Sequence, residues 1–234
     1  MLTGFKTSLK YLLDNRVAEL RIKTLPKIYH SSSSDEIDYL MFKCKAELFR
    51  RDILSVVRPR SKTYSRDRKA GIKRGKQHKL EVRESEGFDT FWNEILIPNL
   101  DSKHKTTPVH TLEEITSLKS KFPEKIRQFN VYHDDKIVAG TKIFMTKSVA
   151  HSQYISGNTD KNQLGSLDFL HAHLLEHVFA DMPYFDFGIS NENQGQNINQ
   201  GLLYWKEGFG ARAISHDFYK IDTKNYVELD KVML

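Results

Sequence analysis

The chain has 234 residues, 39% of them hydrophobic and 28% charged, which is enough apolar material for a buried core and excludes a disordered or fibrous protein. A single cysteine, Cys44, excludes an internal disulfide and a cysteine-built zinc site, fits a reducing compartment, and reads as a small buried hydrophobe. The net charge of +6 is local, because residues 58 to 79 hold ten Lys or Arg against Asp67 and carry +9, leaving −3 for everything else. A patch of that density attracts phosphates of nucleic acid, sugar nucleotide or coenzyme, or is a solvated helix face.

In chain order, residues 4 to 15 have Leu9, Leu12 and Leu13 on one helical side, and "AELRIKTLP" reads as a strand closed by Pro26. Ser34 with Asp35 and Glu36 starts a helix, and "ELFRRDILSVVRP" is extended and leads into the basic run. From residue 66 a basic helix runs to the strand "KLEVRES". In "FDTFWNEILIPNL", Phe88, Phe91, Trp92, Ile95 and Leu96 recur at helical spacing and belong to a core. Thr111 and Glu114 form a capping box that opens a helix to about Lys121. Three extended segments follow, "IRQFNVYHD", "KIVAGTKIFMT" and "SVAHSQYISGN", with Asp134-Asp135 closing a hairpin between the first two. The helix "LGSLDFLHAHLLEHVFADM" and the aromatic strand at Tyr184 complete an antiparallel meander with a parallel return.

Residues 184 to 212 then give a strand ending at Gly188, a loop of Asn, Gln, Ser and Gly, and a helix in which Ile198, Leu202, Trp205 and Phe209 share one buried face before Gly208 closes it. Asn197 is followed after seven residues by Tyr204 and then by Gly208-Phe209. That spacing resembles the last core motif of the GNAT acyltransferases. Trp205-Lys206 with Phe209-Gly210 is similar to the FemABX branch of the same fold, and a looser likeness extends over residues 80 to 222.

The resemblance implies an α/β fold with a mixed, mostly antiparallel sheet, splayed central strands and flanking helices. It implies residues 1–57 as a partial first module, 58–79 as a basic connecting helix and 80–234 as the acyltransferase domain. It also implies a cleft between "SVAHSQYISGN" and "YFDFGIS" in which the acyl donor lies, with amides at Tyr154, Ile155 and Ser156 polarising its carbonyl. Tyr204 is then a candidate to protonate the leaving group, and Lys206 to offset developing charge or hold a donor phosphate. Asp186, Glu192 and His151 are the candidate bases, His151 also lining the acceptor side with Asn191 and Asn193. Asn197 and the helix start at Gly165-Ser166 would hold the donor. The usual Arg/Gln-x-x-Gly-x-Gly/Ala phosphate grip is replaced by "NTDKNQLGSLD", so both acyl-CoA and an aminoacyl-tRNA stand as donors. The expected acceptor is a small-molecule amine on a sugar-nucleotide, cell-wall or polysaccharide precursor.

Two other motifs carry less. "HLLEH" at His173 to His177 has the spacing of an inverted zinc-peptidase helix, but 57 residues remain for a third ligand, and an amphipathic helix accounts for it without metal. "DFG" at Asp186 to Gly188 lacks the other kinase motifs. A non-catalytic module holding RNA through its basic arm is the rival from another class. No run of about 18 apolar residues and no signal-like leader is seen, so the expected setting is cytoplasmic, without membrane insertion.

Overall fold

The computed structural model describes residues 1–230 and 232. They form two compact units. The smaller comprises Met1–Leu54, Ile189–Asn199 and Ile214–Leu234, and the larger Ser55–Gly188 and Gln200–Ala213.

In the smaller unit, α1 (Leu2–Asp14) precedes β1 (Glu19–Lys23), α2 (Glu36–Lys43) and β2 (Glu47–Val57), whose last three residues belong to the larger unit. Leu9, Leu40, Met41 and Cys44 close a small core with Ile221 and Leu229. Cys44 is free and buried, as its type suggested, and burial raises its thiol pKa, which makes it inert.

In the larger unit, α3 (Arg66–Gln77) is capped by Ser65, whose hydroxyl accepts from the Arg68 amide. β3 (Glu81–Ser85) follows, then a π-helical stretch, Phe91–Leu96, which continues as α4 (Ile97–His104). Pro98 explains the widened turn, since its ring would clash with the Glu94 carbonyl in a regular helix and it has no N–H to give it. Phe88, Phe91, Trp92, Ile95 and Leu96 are all buried, as their spacing predicted. α5 (Leu112–Lys121) opens on a complete capping box: Glu114 N–H donates to Thr111 Oγ1 at 3.1 Å, and Thr111 N–H to Glu114 Oε2 at 2.8 Å.

β4 (Ile126–His133), β5 (Lys136–Met145) and β6 (Val149–Gly157) form the expected meander, with β3 on its outer side. After a short α6 (Lys161–Leu164), α7 (Ser166–His173) leads back to β7 (Tyr184–Ile189), parallel to β6. The order β7-β6-β5-β4-β3 gives the mixed, mostly antiparallel sheet of the larger unit. One face packs on α7 through Phe129, Val131, Ile143, Leu170 and Phe185, with α3 lying against α7, and the other on the π-helical stretch and α5.

The segment after β7 departs from its expected form. Asn191–Glu192 (β8) and Asn197–Ile198 (β9) make a two-residue ribbon in the smaller unit, and α8 (Gln200–Glu207) begins three residues after Asn197. Asn197 accepts from Asn193 Nδ2 at 2.7 Å, and Ile198 and Leu202 are both exposed, so the buried face of α8 is built from Trp205 and the following Phe209 without them. β10 (Arg212–Asp222) closes the chain against β1, from Glu19↔Asp222 to Lys23↔Phe218, with β2 on its other edge. Among the described residues no helix is long and apolar enough to cross a membrane.

Candidate active site

The central feature of the larger unit is where β6 and β7 stop pairing. Their parallel register holds for Val149↔Tyr184, Ala150↔Phe185 and His151↔Asp186, and ends there. β6 continues to Gly157, bonded to β5 on one edge. On its other edge residues 152 to 157 have no strand partner among the described residues. The β5–β6 register also jumps, from Lys142↔Tyr154 to Ile143↔Ser152, leaving Gln153 as a bulge beside the opening. Bulges bend a strand and re-aim its groups, and unpaired amides at such an edge are donors ready for a carbonyl oxygen.

The last paired residues carry the charge. Asp186 is fully buried, and one carboxylate oxygen accepts from Gly188 N–H at 2.7 Å while the other lies 3.0 Å from His151 Nδ1. Gly188 adopts φ 73, a left-handed turn that suits glycine and brings its amide back onto Asp186. Nε2 of His151 lies 3.2 Å from Gln153 Oε1 on the bulge. The carboxylate thus orients an imidazole whose outer nitrogen faces the Gln153 amide on the free part of β6; with that amide turned to present its NH2, the outer nitrogen is the acceptor of an oriented general base.

Lys206, on α8, is 2% exposed and donates to Gly188 O at 3.1 Å. Burial pushes its pKa down to about 8, with the Asp186 charge opposing the shift. Packing selects this geometry: Trp205 and Phe209 wedge α8 against Phe187 and His171, so the lysine between them is turned inward. An ammonium with a pKa of about 8 beside a buried carboxylate is mainly charged at pH 7, so it can stabilise an oxyanion there and gives up its proton just above neutral pH.

These features accompany a family match. Residues 58–207 match the model of the acetyltransferase (GNAT) domain, more than half of the chain. The chain belongs to the GNAT family. Among solved structures it is similar to FemX (TM-score 0.68, 10% identity, covering 96% of this chain and 79% of that one). The C-terminal DUF2156 domain of a putative lysylphosphatidylglycerol synthetase from Agrobacterium fabrum gives a TM-score of 0.64 at 13% identity, over 96% of this chain and 74% of that one. L-PGS from Bacillus licheniformis gives 0.63 at 14%, over 97% and 77%. At such identities these likenesses speak for the fold, and the FemABX-like GNAT architecture is the common element. No curated protein matches the chain.

Of the residues expected at the GNAT cleft, Asp186, His151 and Lys206 are brought together. Tyr204 is exposed, and its phenol donates to Asp67 at 2.8 Å; that carboxylate raises its pKa, so the phenol keeps its proton at neutral pH. Tyr154 and Ser156 are buried on β6 and Ile155 is half-buried, Tyr154 presenting its hydroxyl to His110 Nδ1 at 2.7 Å. Asn191, Glu192, Asn193 and Asn197 fall in the smaller unit and bond within it: Asn191 Oδ1 accepts from Ile53 N–H at 2.7 Å, and Glu192 from Asn199 Nδ2 at 2.9 Å.

Gly165 and Ser166, expected at donor phosphates, are covered. α3 crosses the start of α7 so closely that a Cβ on Gly165 would overlap the Gly71 carbonyl, and Ser166 is fully buried. The negative charge favoured at that helix start is supplied by Asp168, bound by Arg68 and by Trp205 Nε1 at 2.8 Å. The start of α7 is thus filled by protein groups.

Two contributors escaped the sequence reading. Gln153 becomes visible only through the register jump, and Lys142, fully buried in β5, was hidden inside an apolar strand pattern. A lysine at the middle of "KIVAGTKIFM" was the available signal.

Proposed function

We propose that this GNAT protein is an N-acyltransferase that moves an acyl group from an activated donor to a small-molecule amine, working where β6 and β7 part. The carrying observation is that pairing ends at His151↔Asp186, so the free edge of β6 starts beside an oriented imidazole and within reach of a buried lysine's environment. The free amides polarise the donor carbonyl, and Lys206 in its charged form offsets the negative charge that develops on the oxygen. His151, held by Asp186, takes the proton from the attacking amine. Tyr204, expected to protonate the departing atom, is exposed with its phenol donating to Asp67, so the proton for the departing atom comes from His151 once it has taken the amine's proton. The acceptor class, an amine on a sugar-nucleotide, cell-wall or polysaccharide precursor in the cytoplasm, comes from the FemABX likeness.

For the donor, the covered start of α7 favours an aminoacyl-tRNA over an acyl-CoA. Arg66, Lys69, Lys73 and Lys76 add support: all are exposed, and at spacings of three, four and three they form one stripe on α3. Ten residues of helix span about 15 Å, longer than a single diphosphate and suited to a run of phosphodiesters. Thermal-shift titration separates the readings: a ligand far above its dissociation constant raises stability by about 2 to 4 kcal/mol. Stabilisation by aminoacyl-tRNA and none by acetyl-CoA supports the tRNA reading. The reverse supports acyl-CoA, and stabilisation by neither removes the transferase proposal.

A further inference from the structure

The sheet face that carries His151 also carries a second set of buried polar groups that the transfer chemistry does not use. Lys142 on β5 is in register with Tyr154 on β6, two residues along from the Phe144↔His151 pair, or about 7 Å of strand. It is also in register with Gln128 on β4. Both side chains are fully buried, and among the described residues Lys142 Nζ and Gln128 Oε1 have no hydrogen-bond partner.

The orientation of Gln128 is fixed by its other end. Its Nε2 donates to Asn130 Oδ1 at 2.8 Å and to Phe129 O at 3.3 Å, two acceptors that a flipped amide would lose. Its oxygen is therefore the atom left over, and it shares a sheet face with a lysine amine whose pKa burial brings down to about 7 and whose N–H donors are unmet. Phe88 and Trp92 wall the lysine, with Nζ 3.1 Å and 4.6 Å from their ring centroids. The ring faces compensate part of the charge but satisfy none of its hydrogen-bond directions. Phe88 lies just ahead of the helix that starts at Asp89 and follows Gly87, where a Cβ would meet only the Asp89 carboxylate, at 3.6 Å, so it is the wall best able to move.

An occupant must offer an acceptor to Lys142 and a donor to Gln128, and must lie flat against an aromatic ring. A carboxylate lacks the donor, and an ammonium lacks the acceptor. A carboxamide has both on one rigid plane. We propose that Lys142 and Gln128 form an acceptor-side subsite for a secondary carboxamide, its carbonyl on Lys142 Nζ, its N–H on Gln128 Oε1 and its plane on Trp92, with Phe88 giving way. This rests on the transferase reading for calling it acceptor-side; the binding itself does not.

The test is a titration of protein carrying 13C-labelled lysine with N-methylacetamide, following the Lys142 Cε resonance, which is assigned by its loss in Lys142→Met. Methyl acetate, an ester of the same shape without the N–H, is the control. A saturable Lys142 shift with the amide, and binding of the ester at least about tenfold weaker, is expected, because a site built to pair a donor discriminates against an analogue lacking it. Gln128→Leu should abolish that preference while leaving the protein folded. No saturable shift, equal binding of amide and ester, or a preference that survives in Gln128→Leu overturns the proposal. Because the titration reads binding without turnover, a failed transferase reading would leave this result standing, and the reverse also holds.

Discussion

Replacing Asp186 by Asn tests the charge arrangement at the strand junction. The carboxylate is fully buried, faces His151 at 3.0 Å, takes the Gly188 amide at 2.7 Å and raises the pKa of the buried Lys206. Asn keeps an oxygen for Gly188 but removes the charge. At pH 7 Lys206 is still mainly protonated, since its pKa is about 8, so the variant buries an ammonium with less compensation. Breaking one side of a buried ionic network costs about 3 to 5 kcal/mol. In a chain of this size that corresponds to a fall in Tm of roughly 6 to 20 °C.

The pH dependence isolates the cause. Lys206 titrates near 10.5 unfolded and about 8 folded, so between those values the unfolded chain binds more protons, and stability rises with pH across that window. Asp186→Asn removes the charge that opposes the shift, so the folded pKa drops further and the window extends downward. At pH 9.5 Lys206 is largely neutral in both proteins, and the deficit should shrink by about 1.4 kcal/mol, the cost at pH 7 of removing the proton from a group whose pKa is about 8. Chemical denaturation at pH 7 and 9.5 measures both numbers. Equal deficits at the two pH values, or one below about 1 kcal/mol at pH 7, would refute the electrostatic account.

The other expectations are more local. Lys206→Met should lower kcat by about 100-fold or more if its ammonium meets the developing oxyanion, with a smaller effect on KM; steady-state kinetics with the donor found by thermal shift would show it. Gly71→Ala, whose Cβ would overlap the Asp168 carboxylate, should part α3 from α7 and destabilise the chain by several kcal/mol, read by denaturant midpoint. Thr111→Ala should cost about 1 kcal/mol by removing one half of a complete capping box, with no change in turnover. Replacing Lys69, Lys73 and Lys76 together by Ala should lower the slope of log K against log salt for a duplex RNA by about 2 to 3, measured by fluorescence anisotropy, and an unchanged slope would remove the stripe from the donor argument.

Much of the fold was legible because its signals are local. The capping box at Thr111 and Glu114, the Asp134-Asp135 hairpin and the aromatic spacing around Phe91 depend on residues within a turn or two of each other, and each is present. The site was legible only as a set of residues. Asp186 and His151 are 35 positions apart, and nothing in either segment states the register that makes them adjacent. The start of α8 was misread because Asn is a good helix opener, yet here Asn197 is taken by Asn193 across a two-residue ribbon. Asn191 and Glu192 follow β7 directly in sequence, but the chain turns into the smaller unit there, where Asn191 is held by Ile53. Lys142 hid because strand pattern predicts which face a residue takes and not whether its amine finds a partner.

The seam between β6 and β7 is three rungs long, and its shortness is what creates room for a substrate. One more rung would zip Ser152 onto Phe187 and start to shut the opening without altering any reactive side chain. Access to the site therefore depends on where a ladder stops, a property of backbone geometry at Gly188 and at the bulge, and a catalogue of acids, bases and nucleophiles would pass over it.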